Sequence, residues 1–192
     1  MLDVLAKLVR DLTELRAPFA LVGGLAVSVR TEPRFTRDVD VVLAVDGDDA
    51  AESLIRDLQA RGWVVAMQVE HDVLGRLAMV RVTGGTHGVA ADLLFASSGC
   101  EHDIVAAAEP LEILPDLVID VATTGHLITL KLLSRGPDRP TDQADLLSLA
   151  RTATGVDWGA AEALASAIAA RGAARGRDLV RDVAELRDRQ AG

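Results

Sequence analysis

The sequence predicts an α/β fold, a mixed β-sheet with flanking helices, followed by a mainly helical C-terminal region. Three observations carry this. Short β-branched and apolar runs recur between glycine- and aspartate-rich turns in the first half of the chain. Helical apolar spacing precedes and separates them, and beyond Ser98 the composition shifts towards Ala and Leu. A chain of 192 residues, 49% of them hydrophobic, can bury a proper core without cross-links.

Leu2, Leu5, Leu8, Val9, Leu12 and Leu15 lie on one helical face, and Pro18 ends that helix. Residues 19–22 form an apolar run stopped by Gly23 and Gly24, and 25–30 is helix-compatible; this reads as strand, tight turn, helix start, with amides free at the turn. The run 39–45 is a strand, closed by Asp46, Gly47, Asp48 and Asp49, which cap a helix over 50–61 that Gly62 terminates. Strands follow at 63–69, 77–82 and 89–95, the last two joined by the turn-rich stretch from Gly84 to Gly88. Further on come an apolar hairpin around Pro115 and Asp116, then helices at 126–134 and 142–152. Asp157 caps a helix starting at Trp158, and Gly172 and Gly176 break the chain before a last helix ending near Arg189. No internal repeat is present.

Composition excludes several classes. A net charge of −9 is wrong for a surface that grips nucleic acid throughout, so any such contact is local. Aromatic residues make up 3% of the chain and Tyr is absent, which excludes a base-stacking sheet. The lone Cys100 cannot form an internal disulfide, the N-terminus carries acids among its apolar residues, and no apolar run reaches membrane-span length. The expectation is a soluble, cytoplasmic protein. His71, His87, His102 and His126 show no paired ligand spacing, and Cys100 with His102 supplies only half a zinc site, so all are read as surface or capping residues. Dinucleotide and P-loop patterns are missing.

The chemistry gathers on three acids. Asp38 and Asp40 stand one residue apart at the head of a strand, so both carboxylates project from one face while Val39 and Val41 face the other. Like charges held this way favour a cation between them, and hard oxygen donors suit Mg²⁺ or Mn²⁺. Asp92 sits inside the strand VAADLLFA; with its strand beside the first, the three acids converge on a metal site that positions a triphosphate and activates an attacking hydroxyl. Turn amides at Gly23 and Gly24, at the start of a helix, can bind phosphate oxygens. In the run RFTRDVD, Arg34, Thr36 and Arg37 precede the acids, where cations and a hydroxyl can steady phosphates or the loop itself. Lys131 and Arg135, four apart on a helix, share a face that can present two cations to a triphosphate.

LVGG, thirteen further residues and DVDV together resemble the signature of the polymerase β-like nucleotidyltransferase superfamily. ALVGGLAVSVRTEPRFTRDVDVVL and LITLKLLSRGPDRPTDQADLLSL are similar, more narrowly, to the AbiEii/AbiGii toxin-like nucleotidyltransferases, over residues 19–150. The resemblance implies a polymerase β-like core at 1–98 and a helical region at 99–192 that closes the nucleotide cleft. It implies that Gly23 and Gly24 contact the triphosphate of an NTP, that Asp38 and Asp40 bind the metals, and that Asp92 shares a metal and helps deprotonate the acceptor. Many relatives carry Ser in place of the second glycine; here the amides must serve. Arg139, Asp142 and Asp145 fall at the family's Arg-rich, Asp-containing motif, which adds Asp142 to the nucleotide-binding set, although Pro140-Thr141 stands where close relatives often have a basic residue. The implied activity is transfer of an NMP to a hydroxyl of RNA, a tRNA end included, as a toxin with a cognate antitoxin. A small-molecule, antibiotic-type transferase is the second reading and fits the acidic charge. A catalytically silent nucleotide-binding antitoxin or regulatory subunit is the third, and it predicts a damaged triad, whereas all three acids are present.

Overall fold

The computed structural model describes residues 1–71, 75–84, 89–96, 98–136 and 140–191. The elements run α1 (Leu2–Glu14), β1 (Phe19–Val22), α2 (Gly23–Arg30), β2 (Val39–Leu43), α3 (Gly47–Ala60), β3 (Val64–His71), β4 (Arg76–Thr83), β5 (Ala90–Leu94), α4 (Glu101–Ala106), β6 (Glu109–Leu114), β7 (Leu117–Val121), α5 (Thr124–Ser134), α6 (Pro140–Thr152), α7 (Gly155–Ala170) and α8 (Leu179–Ala191).

The strands form one mixed sheet in the order β3-β4-β5-β2-β1-β7-β6. β2 lies at its centre, antiparallel to β1 and parallel to β5, and Val39, Val41, Val42 and Leu43 are fully buried. Such a run, apolar on both faces, is the pattern of a strand covered on two sides. The flanking β3 is open on most of its length and carries the exposed Val64, Met67 and Val69. The hairpin β6–β7 joins the sheet through β7, which runs parallel to β1 with Leu21 beside Val121. The sheet therefore continues past residue 98. Residues 85–88, which hold most of the expected Gly84–Gly88 turn and His87, lie outside the described residues.

Leu5, Leu8 and Leu12 of α1 are fully buried. Asp11 on the same helix accepts from Trp63 Nε1 at 2.7 Å and Lys7 Nζ at 2.6 Å, fastening α1 to the approach to β3. α2 packs on β1 and β2 and also meets α5 and α6, so it connects the sheet to the C-terminal helices.

Several local expectations are corrected. α2 starts at Gly23 rather than Leu25, α3 starts at Gly47, and α4 was not foreseen. Thr154, not Asp157, is the N-cap of α7: its hydroxyl accepts from Asp157 N–H while the Asp157 carboxylate accepts from Thr154 N–H, a reciprocal capping box. His71 and His126 are buried rather than at the surface, His126 in the first turn of α5 behind its Thr123 cap. Burial lowers the His126 pKa, which keeps the ring neutral. His102 is exposed, 3.2 Å from Asp46, and Cys100 is buried.

α5 and α7 approach closely because Gly125 has no side chain. A Cβ there would lie 2.2 Å from the Asp157 carbonyl oxygen and 2.9 Å from Ala160 Cβ, and Thr129 Oγ1 donates to the Ala161 carbonyl at 2.9 Å just beyond. Gly125→Ala should therefore destabilise the protein by about 1–3 kcal/mol, although Ala is the better helix former. Thermal unfolding checks this: a fall of several degrees in Tm is expected, and a rise would show that the two helices are free to separate.

Candidate active site

The candidate site is assembled at one end of the central strands. Asp40 of β2 lies in register with Asp92 of the parallel β5 on one side and with Val22 of β1 on the other. Asp38 immediately precedes β2. Period-two alternation puts Asp38 and Asp40 on one face, and the parallel register puts Asp92 beside them. The turn after Val22 is shaped to this arrangement. Gly23 has φ +67°, and a Cβ on it would fall 1.9 Å from Asp40 Oδ2, so glycine is required both by the backbone and by the carboxylate. The Gly24 backbone amide lies near enough to Asp40 to pull its pKa down.

Burial, the neighbouring Asp92 charge and the Asp38 charge raise the Asp40 pKa to about 6, against the opposing pull of Lys131 and the Gly24 amide. The charge of Asp92 is met by Arg81, its cross-strand neighbour on β4. Arg81 forks onto it, Nε to Oδ1 and Nη2 to Oδ2, each at 2.7 Å, and the same Nη2 reaches Asp38 Oδ2 at 3.4 Å. Contact with these acids raises the Arg81 pKa further above its ordinary value. The sequence reading missed Arg81. Its only signal was a charged residue at an alternating position within the apolar run LAMVRV.

A second charged cluster joins the sheet to the C-terminal helices. Lys131 of α5 lies 2.8 Å from Asp142 Oδ1 and 2.7 Å from Asp145 Oδ2 on α6. Arg34, from the loop between α2 and β2, forks onto Asp145 with two 2.6 Å hydrogen bonds. Both carboxylates are buried, and Ser134 Oγ donates to Asp142 at 3.2 Å. Arg34 Nη2 would stand 2.7 Å from a Cβ on Gly24, so this cluster adjoins the glycine turn. Of the other expected residues, Thr36 is buried with its hydroxyl 3.2 Å from Met1 Sδ, and Arg37 is exposed. Arg135 turns away from Lys131 and pairs with Asp182 of α8 at 2.8 Å. Arg139 lies outside the described residues. A cavity of about 680 Å³ beneath α1, bordered by Lys7, Arg10, Arg61 and Val89, holds none of these groups.

The donor set tests the expected metal. Asp38, Asp40 and Asp92 offer only carboxylate oxygens, the ligands of Mg²⁺ and Mn²⁺, and a cation there would offset the burial and the neighbouring Asp92 and Asp38 charges that raise the Asp40 pKa. Among the described residues, no three acidic, imidazole or thiol groups stand ready to grip one ion as they are. By chemistry the residues fit the metal.

The same architecture occurs in solved nucleotidyltransferases. The chain is similar to an antigenic nucleotidyltransferase-like protein from Paracoccidioides brasiliensis, with 19% identity, 79% of this chain and 76% of that one covered, and a TM-score of 0.53. It is similar also to the antibiotic-resistance factor ANT(2'')-Ia, with 18% identity, 90% and 92% covered, and a TM-score of 0.55. A putative nucleotidyltransferase from H. pylori matches at 14% identity over 98% and 91%, with a TM-score of 0.51. No family model matches the chain, and no curated protein does. At these identities the likeness defines the fold, which is that of the polymerase β-like nucleotidyltransferases.

Two predictions follow from the electrostatics. Free Asp has a pKa of 3.8, and in the fold Asp40 has about 6, so the folded chain holds this proton more tightly than the unfolded one. The stability this contributes is full below pH 3.8 and is lost as pH rises through 6. Without metal, Asp40→Asn should therefore be more stable than the parent by a margin that grows from pH 4 and levels off above 6 at about 2–3 kcal/mol. Denaturant titrations across that range measure it, and a margin independent of pH would refute the assignment. Lys131→Ala should in turn lose about 3 kcal/mol, because it strips a partner from two buried carboxylates. Adding Asp142→Asn should recover part of that loss; strict additivity in the double-mutant cycle would show that the pair does not interact.

Proposed function

We propose that this chain is a divalent-metal-dependent nucleotidyltransferase that moves an NMP from an NTP to a hydroxyl acceptor and releases pyrophosphate. The observation that carries the reading is the register of Asp40 with Asp92 on adjacent parallel strands, with Asp38 two residues earlier and a glycine turn against Asp40. Asp38 and Asp40 hold Mg²⁺ or Mn²⁺. When bound, the ion supplies Lewis-acid stabilisation of the phosphoryl oxygens and favours ionisation of the acceptor hydroxyl. Asp92 completes the acid set and accepts the acceptor's proton. Lys131, whose charge reaches Asp40, and Arg34, against the glycine turn, neutralise the triphosphate, joined by the amides of Gly23 and Gly24. Thr36 steadies the loop that carries Arg34. Asp142 orients Lys131 towards the nucleotide, and Arg135 anchors α8. Residues 99–192 supply Lys131 and so close the cleft over the core at 1–98.

The resemblance to AbiEii/AbiGii toxin-like enzymes supports RNA, a tRNA end included, as acceptor and a cognate antitoxin as partner in the cytoplasm. A small-molecule acceptor is the second reading. It is favoured by the net charge of −9, which suits a cationic acceptor better than RNA, and by ANT(2'')-Ia, whose structure contains adenylyl-2''-tobramycin. Among the described residues no helix is long and apolar enough to cross a membrane.

Pure protein incubated with each labelled NTP, magnesium, and either total RNA or an aminoglycoside panel should transfer label to one acceptor class. Asp38→Asn and Asp40→Asn should each reduce transfer on the order of a hundredfold or more while remaining folded. Transfer at the parent rate in both variants would sink the metal-site assignment.

A further inference from the structure

Arg81 occupies a position that a metal-dependent reaction needs vacated. Its guanidinium takes both oxygens of Asp92 and touches Asp38, so it stands where a divalent ion shared by those residues would stand. Of the two partners, Asp92 is fixed: it is buried, on a central strand, and locked in register with Asp40. Arg81 is the more exposed partner. Its side chain is 34% exposed, and it reaches the acids from β4, whose outer neighbour β3 is largely open to solvent. A divalent ion at Asp92 would face a fixed positive charge a few ångströms away, a like-charge contact that only withdrawal of the guanidinium relieves. Lys131 is held elsewhere, between Asp142 and Asp145 of α6.

We propose that Arg81 is a positioning residue that serves as a built-in counter-cation: it holds Asp92 and Asp38 in place while the metal is absent and is displaced from Asp92 when the ion binds. Metal uptake is then a cation exchange, and Arg81 sets its affinity. The triad stays assembled without metal because one cation or the other always faces it. This inference rests on the metal-site reading above and adds to it a residue that the reading does not require. If Arg81 were only a structural brace for Asp92, its removal would weaken metal binding or leave it unchanged. If it is a competitor, removal strengthens binding.

Mn²⁺ binding to the chelator-treated full chain, followed by the electron paramagnetic resonance signal of the free ion, separates these cases. Arg81→Gln should bind Mn²⁺ about fivefold or more tightly than the parent and should have a lower Tm without metal. Arg81→Lys keeps the charge but loses the fork, and should fall between the two. Equal or weaker binding by Arg81→Gln, with parent binding abolished by Asp38→Asn and Asp40→Asn, overturns the exchange and leaves the metal site standing. Parent binding that survives both Asp variants overturns the metal site and the exchange together. A second measurement needs no variant. Phenylglyoxal labelling of the parent, read at Arg81 by mass spectrometry, should accelerate when Mn²⁺ is added, and unchanged or slower labelling overturns the proposal.

Discussion

The gathering of Asp38, Asp40 and Asp92 at one end of the central strands is the constraint around which the rest of this protein is arranged. Burial, and after it the neighbouring charges of Asp92 and Asp38, push the Asp40 pKa up to about 6. Each neighbouring feature answers that charge. The Gly24 amide pulls the Asp40 pKa down, the missing Gly23 side chain makes room for the carboxylate, and Arg81 caps Asp92 from the next strand. A sheet centre that served stability alone would place apolar residues at these positions, as it does at Val39, Val41 and Val42. The stability given up here is recovered in the core of the same strands.

The charge pattern also explains how the helical region is attached. Arg34 leaves the core loop, and Lys131 leaves α5, to meet on Asp145 of α6. Two cations sharing one buried carboxylate, with Asp142 taking a second bond from Lys131, bind the region to the sheet through directional contacts rather than apolar area alone. Those cations stand next to the acidic end of β2 and the glycine turn. A polar junction of this kind ties the core loop and α5 to α6 at hydrogen-bond distance. The packing contribution comes through α2, which lies on β1 and β2 and also meets α5 and α6.

Opposite roles follow for two residues of the same charge. Lys131 and Arg81 both neutralise acids of the site, but Lys131 is enclosed between two buried carboxylates and Arg81 is partly open. On the reading proposed above, enclosure keeps Lys131 in place for a ligand and openness lets Arg81 leave. Arg135 has neither role: α5 ends at Ser134, so Arg135, with ψ 142°, no longer shares a helix face with Lys131, and Asp182 of α8 captures it.

The sequence alone determined most of the elements and the three acids. Alternation and turn residues mark strands at their local positions because period and punctuation are properties of the chain itself. Asp38, Val39 and Asp40 announce their geometry because two residues apart on a strand means one face. What tertiary structure decided is who stands opposite whom. Arg81 meets Asp92 only through the antiparallel register of β4 and β5, and Arg34 meets Asp145 across 111 positions. The burial of His71 and His126, the capping of α7 by Thr154 and the departure of Arg135 towards α8 are likewise set by packing. Propensity and pattern act over a few residues, whereas the partner of a charge is chosen by the whole fold, which allows a buried carboxylate to persist only where the register brings it a cation.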